Sequence, residues 1–216
     1  MTTQDHLRAA LDRAAAGTYP FRHWQLRQVL PQTLAEALAE LPFAPAAIGD
    51  TAGRRETHNA LRRFCDPAAQ AEFPACADLA DAFQAASTIC RIEALCGIDL
   101  AGSYLRIELC LDTDGFWLEP HTDIGAKLFT LLIYLSRGTH AEDLGTDLYA
   151  DPTRPPVGRA PAPFDSGLAF VPAGDSWHGF VRRPIEGVRR SVIVNYVVPE
   201  WRSRHELAWP ERPVGR

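Results

Sequence analysis

Three residues in the second half of the chain, His121, Asp123 and His178, are of types that bind transition metals, and two of them are two positions apart. Two neutral imidazoles and one carboxylate can occupy one face of an octahedral Fe(II), leaving three sites for a bidentate ligand and O2. Arg189 follows in the run Gly187-Val188-Arg189-Arg190-Ser191, and a guanidinium there can pair with a free carboxylate on such a ligand. The combination points to oxidative chemistry if the fold brings these residues together. The triplet alone means little, because 7 histidines and 15 aspartates in 216 residues give about half a His-x-Asp triplet by chance.

The elements around these residues carry more information. From Ser103 onward the chain breaks into short runs rich in β-branched and aromatic residues, separated by turn formers. Strands are expected near 103–111, 117–123, 127–136, 145–149, 167–171, 177–183 and 188–198. Residues i and i+2 of a strand project from one face, so His121 and Asp123 can reach one metal, and Arg189, Ser191, Ile193 and Asn195 share a face. The first hundred residues look mainly helical: Leu7, Leu11 and Ala14 recur at helical spacing, Pro31 suits a first turn, and a long helical region spans about 66–95, broken near Pro74. Between these, FRHWQLRQVL alternates like a strand. The proline-rich stretch 151–167 has no periodicity and is expected to be a long loop.

The composition excludes several roles. A formal net charge of −5 disfavours nucleic-acid binding, which calls for a basic surface. No apolar run is long enough to span a bilayer, and the N-terminus carries charges throughout, unlike a signal peptide. Five cysteines without CxxC spacing read as reduced core thiols, so a cytoplasmic protein is expected. At this length one domain is the simplest division, with 1–100 as mainly helical support, 101–200 as the β core and 201–216 as a tail.

The motifs EPHTD, KLFTLLIYLS, GTDLY, FVPAGDSWHGF and GVRRSVIVNYV occur in that order between Ser103 and Pro199. In them the chain resembles the Fe(II)- and 2-oxoglutarate-dependent oxygenases, nearest to the prolyl-hydroxylase-like branch. The resemblance implies an α+β fold with a double-stranded β-helix core, a jelly-roll or cupin-like barrel, backed by N-terminal helices. It places His121, Asp123 and His178 on the iron ligands and Arg189 on the residue that holds the far carboxylate of 2-oxoglutarate. Ser191 falls on the serine of an Arg-x-Ser pattern, and Tyr134 on a tyrosine near the same carboxylate. The stretch LCLDTDGFWLEP is longer and more acidic than the family's usual form, so first-strand contacts are not carried over.

The implied activity is hydroxylation of a small-molecule substrate with Fe(II), 2-oxoglutarate and O2. The alternatives are a protein-residue hydroxylase of the prolyl type and a cupin-like metal-binding isomerase or binding protein. For the substrate, the polar segment 51–64 offers Arg54, Arg55, Asn59 and Arg62, with Asn195 as a further candidate, while Trp117 and Trp177 flank the expected ligands as pocket walls. Neither the oligomeric state nor the segment that closes over the site follows from the sequence.

Overall fold

The structure is a computed structural model that describes residues 2–45, 53–54 and 62–215. Arg55 and Asn59 therefore lie outside the described residues.

The first helix, α1 (Thr3–Asp12), starts where Thr2 and Asp5 cap each other: the Thr2 hydroxyl accepts from the Asp5 amide, and the Asp5 carboxylate accepts from the Thr2 amide. Leu7, Ala10 and Leu11 form its buried stripe. After β1 (Ala15–Gly17) and β2 (His23–Arg27), α2 (Gln32–Ala39) follows Pro31, and β3 (Arg63–Phe64) precedes the helical region. That region is three helices: α3 (Pro67–Glu72), α4 (Pro74–Gln84) and α5 (Ala86–Cys96). Pro74 cannot donate to a preceding turn, and Ala85 is extended (φ −65°, ψ 130°), so each break has a backbone cause. The third helix of this group ends on Gly97, whose φ of 73° favours glycine.

The β core comprises β4 (Tyr104–Asp112), β5 (Leu118–His121), β6 (Lys127–Tyr134), β7 (Asp147–Leu148), β8 (Gly158–Arg159), β9 (Ser166–Phe170), β10 (His178–Phe180) and β11 (Arg189–Val197). They form two antiparallel sheets, a major one in the order β1-β2-β9-β6-β11-β4-β3 and a minor one in the order β5-β10-β7-β8. From β4 onward the chain passes back and forth between the sheets, with β7 and β8 a consecutive pair in the minor one, and β1 and β2 extend the major sheet at one edge. The proline-rich stretch differs from the expected irregular loop, since it contains β8. The Val157 amide donates to Leu148 O and the Ala160 amide to Thr146 O, while Ala160 and Ala162 are buried in a core cluster with Phe21 and Tyr134.

Alternation on the major sheet divides apolar from polar. Leu105, Ile107, Phe129, Leu131, Ile133, Val192, Val194 and Tyr196 join the helices' Leu7, Leu79, Phe83, Ile89 and Ile92 in the main core. The Tyr196 hydroxyl donates to Phe83 O at 2.6 Å, satisfying a polar atom inside that layer. The opposite face carries Arg106, Glu108, Thr130, Arg189 and Asn195, all buried. The five cysteines are unpaired thiols, and no described helix is long and apolar enough to cross a membrane.

Two contacts fix how β5 and β10 pair within the minor sheet. His178 stands opposite His121 in the β10–β5 pair. A Cβ on Gly179 would lie 2.9 Å from Leu118 O and 3.1 Å from Glu119 O, so this pairing requires glycine. Gly179→Val should therefore separate the two histidines, lowering Tm and weakening Co(II) binding at least about tenfold in an absorption titration.

Just before β9, Asp165 (φ 59°) accepts from the Leu30 amide and donates its own amide to Tyr134 O. Burial pushes its carboxyl up to about 7. A carboxyl raised from 3.8 binds a proton more readily in the folded chain. Its stabilisation is complete below about pH 4 and is lost as pH rises through about 7. Asn tolerates this backbone region and mimics the neutral group. Asp165→Asn should therefore gain Tm over the wild type as pH goes from 5 to 8, and a constant difference would contradict the assignment.

Candidate active site

His121 ends β5 and Asp123 lies two residues on, while His178 begins β10. One potential ligand atom from each lies within 4.8 Å of the others. Both imidazoles are oriented by the chain itself. The Nδ1 of His121 is 2.9 Å from Glu119 O and that of His178 is 2.9 Å from Ser176 O. A carbonyl can only accept, so each Nδ1 carries the proton and each Nε2 presents a lone pair. The rings lie with centroids 4.4 Å apart, and Phe170 packs on His178 at 4.9 Å. Burial, reinforced by the neighbouring His121, lowers the His178 pKa to about 4, which keeps it neutral at physiological pH.

Burial alone would push the Asp123 carboxyl up. The charge of Lys127 and hydrogen bonds from Lys127 and Thr130 outweigh it, holding the group well below the usual carboxylate range. Its Oδ1 accepts from Lys127 Nζ at 2.5 Å and its Oδ2 from the Thr130 hydroxyl at 2.6 Å. An ionised carboxylate and two preset imidazole lone pairs suit a divalent transition metal, and the ammonium on Oδ1 shows that the position favours a cation.

The three residues open on a cavity of about 640 Å³ lined by both sheets. One end holds Arg189 and Thr146. Arg189 donates from Nε to Leu144 O (2.8 Å) and from Nη1 to Asp112 (2.6 Å), and its guanidinium lies 4.6 Å from the Phe180 ring centre. These contacts fix the plane of the group and leave Nη2 for a ligand. Tyr134 is buried behind Thr146: its hydroxyl donates to Thr146 Oγ1 at 2.8 Å and accepts from the Thr146 amide at 3.3 Å. The Thr146 hydroxyl therefore keeps its own proton to donate into the cavity. A guanidinium nitrogen and a hydroxyl lining one cavity can hold a carboxylate.

The other end is a row of alternating charge. Arg62 donates to Glu108 through Nε (2.8 Å) and Nη2 (2.6 Å), while Arg106 donates to Glu108 (3.0 Å) and to Glu206 (2.6 Å). All four line the cavity, as do Arg54, paired with Glu119, and Trp201. Arg106 and Glu108 are only 1% and 2% exposed, so their charges are matched inside the wall.

The site residues expected from the sequence divide on this geometry. His121, Asp123, His178, Arg189, Arg54 and Arg62 all line the cavity. The lining takes Gly53, Arg54 and Arg62 from the polar segment and, among the described residues, none from 151–167. Ser191, Tyr134, Trp117 and Asn195 do not line it. The Ser191 hydroxyl is buried without a partner among the described residues. Asn195 shares the face of Arg189, as strand parity requires, but Arg106 and Thr130 cover it and leave it 0% exposed, with no surface to offer a substrate. Trp117 lies against Gly53 and beneath Arg182.

Sequence reasoning missed Thr146, Lys127, Arg106, Glu108 and Asp112. The signal for the last three was charge at period two in a strand whose intervening residues are apolar. A polar strand face was visible, and its burial against a cavity was not.

No family model and no curated protein matches the sequence. Solved structures do match. A prolyl 4-hydroxylase structure from Phytophthora capsici aligns with TM-score 0.60 and 14% identity over 92% of this chain, which spans 65% of that chain. A Trichoplax adhaerens prolyl hydroxylase, in complex with a hypoxia inducible factor oxygen degradation domain peptide fragment, aligns with TM-score 0.60 and 14% identity, covering 90% of this chain and 88% of its own. A 2OG-Fe(II) oxygenase family oxidoreductase from Burkholderia pseudomallei aligns with TM-score 0.53 and 17% identity over 90% of each chain. At such identities the likeness establishes a shared fold.

His178→Ala removes a preset lone pair and leaves the other two donors in place. Co(II) affinity, followed by visible absorption, should fall about 100-fold while far-UV circular dichroism is unchanged.

Proposed function

We propose that the chain is an Fe(II)- and 2-oxoglutarate-dependent dioxygenase that hydroxylates an unactivated C–H bond of a small molecule, with succinate and CO2 as coproducts. The observation that carries this reading is one cavity holding the His121, Asp123 and His178 donors together with a guanidinium and a free hydroxyl proton at Arg189 and Thr146. The passage of the chain back and forth between two antiparallel sheets supports a double-stranded β-helix, with residues 1–100 as supporting structure in a single domain. Five unpaired thiols fit the cytoplasm as its compartment.

His121, Asp123 and His178 would hold the iron. When bound, the metal supplies the oxidising power for C–H cleavage, with 2-oxoglutarate and O2 as co-reactants. The protein's part is placement. Arg189 Nη2 and the Thr146 hydroxyl receive the far carboxylate of 2-oxoglutarate, and Tyr134 positions Thr146 from behind. The Asp112 carboxylate beside Arg189 makes the pair formally neutral, so the ligand is held by directed hydrogen bonds more than by net charge. Ser191 lies outside the cavity wall and has no contact to give. Phe180 and Leu132 contribute apolar wall, which keeps water from the reacting centre.

The charged row at the outer end supports a polar small substrate that meets Arg62 and Glu206 at its ends. A second reading, hydroxylation of a protein residue, draws on the fold shared with prolyl hydroxylases, one of them solved with a peptide. A cupin-like isomerase or binding protein has no use for a carboxylate-receiving pair beside its metal.

Adding 2-oxoglutarate to the anaerobic Fe(II) protein should produce a visible charge-transfer band, and admitting air should yield succinate. Absence of both would end the oxygenase reading. Thr146→Val should raise the 2-oxoglutarate concentration for half-saturation about tenfold, the loss of one hydrogen bond to a charged group. A succinate screen of small polar metabolites against proline-containing peptides separates the two substrate readings.

A further inference from the structure

Asp123 is joined to the charged row by an unbroken chain of hydrogen bonds, and the donor direction of every bond in it is determined. Arg106 Nη1 lies 3.1 Å from Asn195 Oδ1, Asn195 Nδ2 lies 2.9 Å from Thr130 Oγ1, and the Thr130 hydroxyl lies 2.6 Å from Asp123 Oδ2. The residues occupy one register row of the major sheet, with Asn195 opposite Arg106 on β4 and opposite Thr130 on β6.

Polarity runs one way along this row. A guanidinium can only donate, so the oxygen of the Asn195 amide must face Arg106. The amide nitrogen then faces Thr130 and also lies 3.3 Å from Phe129 O, a pure acceptor, which requires the same orientation. An amide nitrogen can only donate, so Thr130 Oγ1 receives that bond and must spend its single proton on Asp123 Oδ2. Arg106 is itself immobilised by Glu206 and Glu108 and lies between the rings of Phe64 (4.8 Å) and Trp201 (5.5 Å). Capping Oδ2 leaves Oδ1 as the oxygen open to a cation, and the Lys127 ammonium is found there.

We propose that Asn195, oriented by Arg106, is a positioning residue that acts through Thr130 to make Asp123 a one-oxygen metal ligand. The inference rests on the reading of Asp123 as an iron ligand. It gives Asn195 a role different from substrate contact, and it ties the metal-binding carboxylate to the wall where a substrate would sit. Removing or reversing one bond in the row allows Asp123 to rotate, so that it no longer presents one fixed oxygen to the metal.

The test uses the full chain and Co(II), whose visible absorption reports both affinity and coordination. Asn195→Asp replaces the donor by an acceptor, so the Thr130 proton is drawn away from Asp123. Thr130→Val removes the proton, and Thr130→Ser restores it. The expected result is Co(II) binding weakened about tenfold or more, with an altered spectrum, in Asn195→Asp and in Thr130→Val, and recovered in Thr130→Ser. The double variant Asn195→Asp/Thr130→Val should bind no more weakly than Thr130→Val alone, because the row is already cut. A merely structural role predicts additive losses and no change of spectrum. Arg106→Lys, which keeps the charge but cannot hold Asn195 and Glu206 together, should show the same spectral change and serves if an Asn195 variant fails to fold. Wild-type-like Co(II) affinity and spectrum in these variants, or additive losses, overturns the proposal with the oxygenase reading intact. Failure of the wild type to bind Co(II) overturns both.

Discussion

Polar atoms buried in the face of a sheet must find partners there, because an unpaired buried charge costs more than the fold can spare. In this chain the requirement falls on one face of three neighbouring strands, β4, β6 and β11, and most of the cavity follows from how it is met. At one end Asp112 and Arg189 satisfy each other; at the other, Glu108 is shared by Arg62 and Arg106. Between them the face turns apolar at Leu132 and Ile193, which also line the cavity. Each charge is thereby fixed in place, and a fixed dipole needs no reorganisation when a ligand arrives.

The minor sheet adds the imidazoles of His121 and His178 to this wall, and its strands are too short to be stable by themselves. β7 and β8 contribute two residues each, and β10 three. Their anchor is Asp147, 0% exposed, which accepts from Arg159, from Arg183 and from the Val181 amide. Burial brings the Arg183 guanidinium down to about 10, still far above physiological pH, so the cluster stays charged. His178 is thus held from both sides, by pairing with β5 at His121 and with β7 at Leu148.

This arrangement explains which parts were legible from residues alone. The long strands of the major sheet announced themselves through period-two alternation, and parity set Arg189 and Arg190 on opposite faces, of which Arg190 lies outside the cavity lining. β1 was invisible, because Ala15–Gly17 has no strand propensity and owes its conformation to pairing with β2. Thr146 lay within GTDLY, a motif that carried the resemblance, yet its hydroxyl is informative only once Tyr134 is seen behind it. Arg106 and Glu108 were readable as one face of a strand. That the face is interior depends on a minor sheet whose elements are too short to signal their own position.

Asn195 shows most sharply where strand parity stops. Parity places it on the face of Arg189 and suggests contact with whatever the cavity binds. Depth decides otherwise, because its neighbours in the register row, Arg106 and Thr130, have polar groups that meet over it. A fully buried amide between a donor-only guanidinium and a hydroxyl is an orienting device, since it accepts on one side and donates on the other. An apolar residue there would leave Arg106 one acceptor short and would leave Thr130 free to rotate. The amide thus matches two charged systems that would otherwise meet with undefined polarity, the outer ion row and the Asp123 carboxylate.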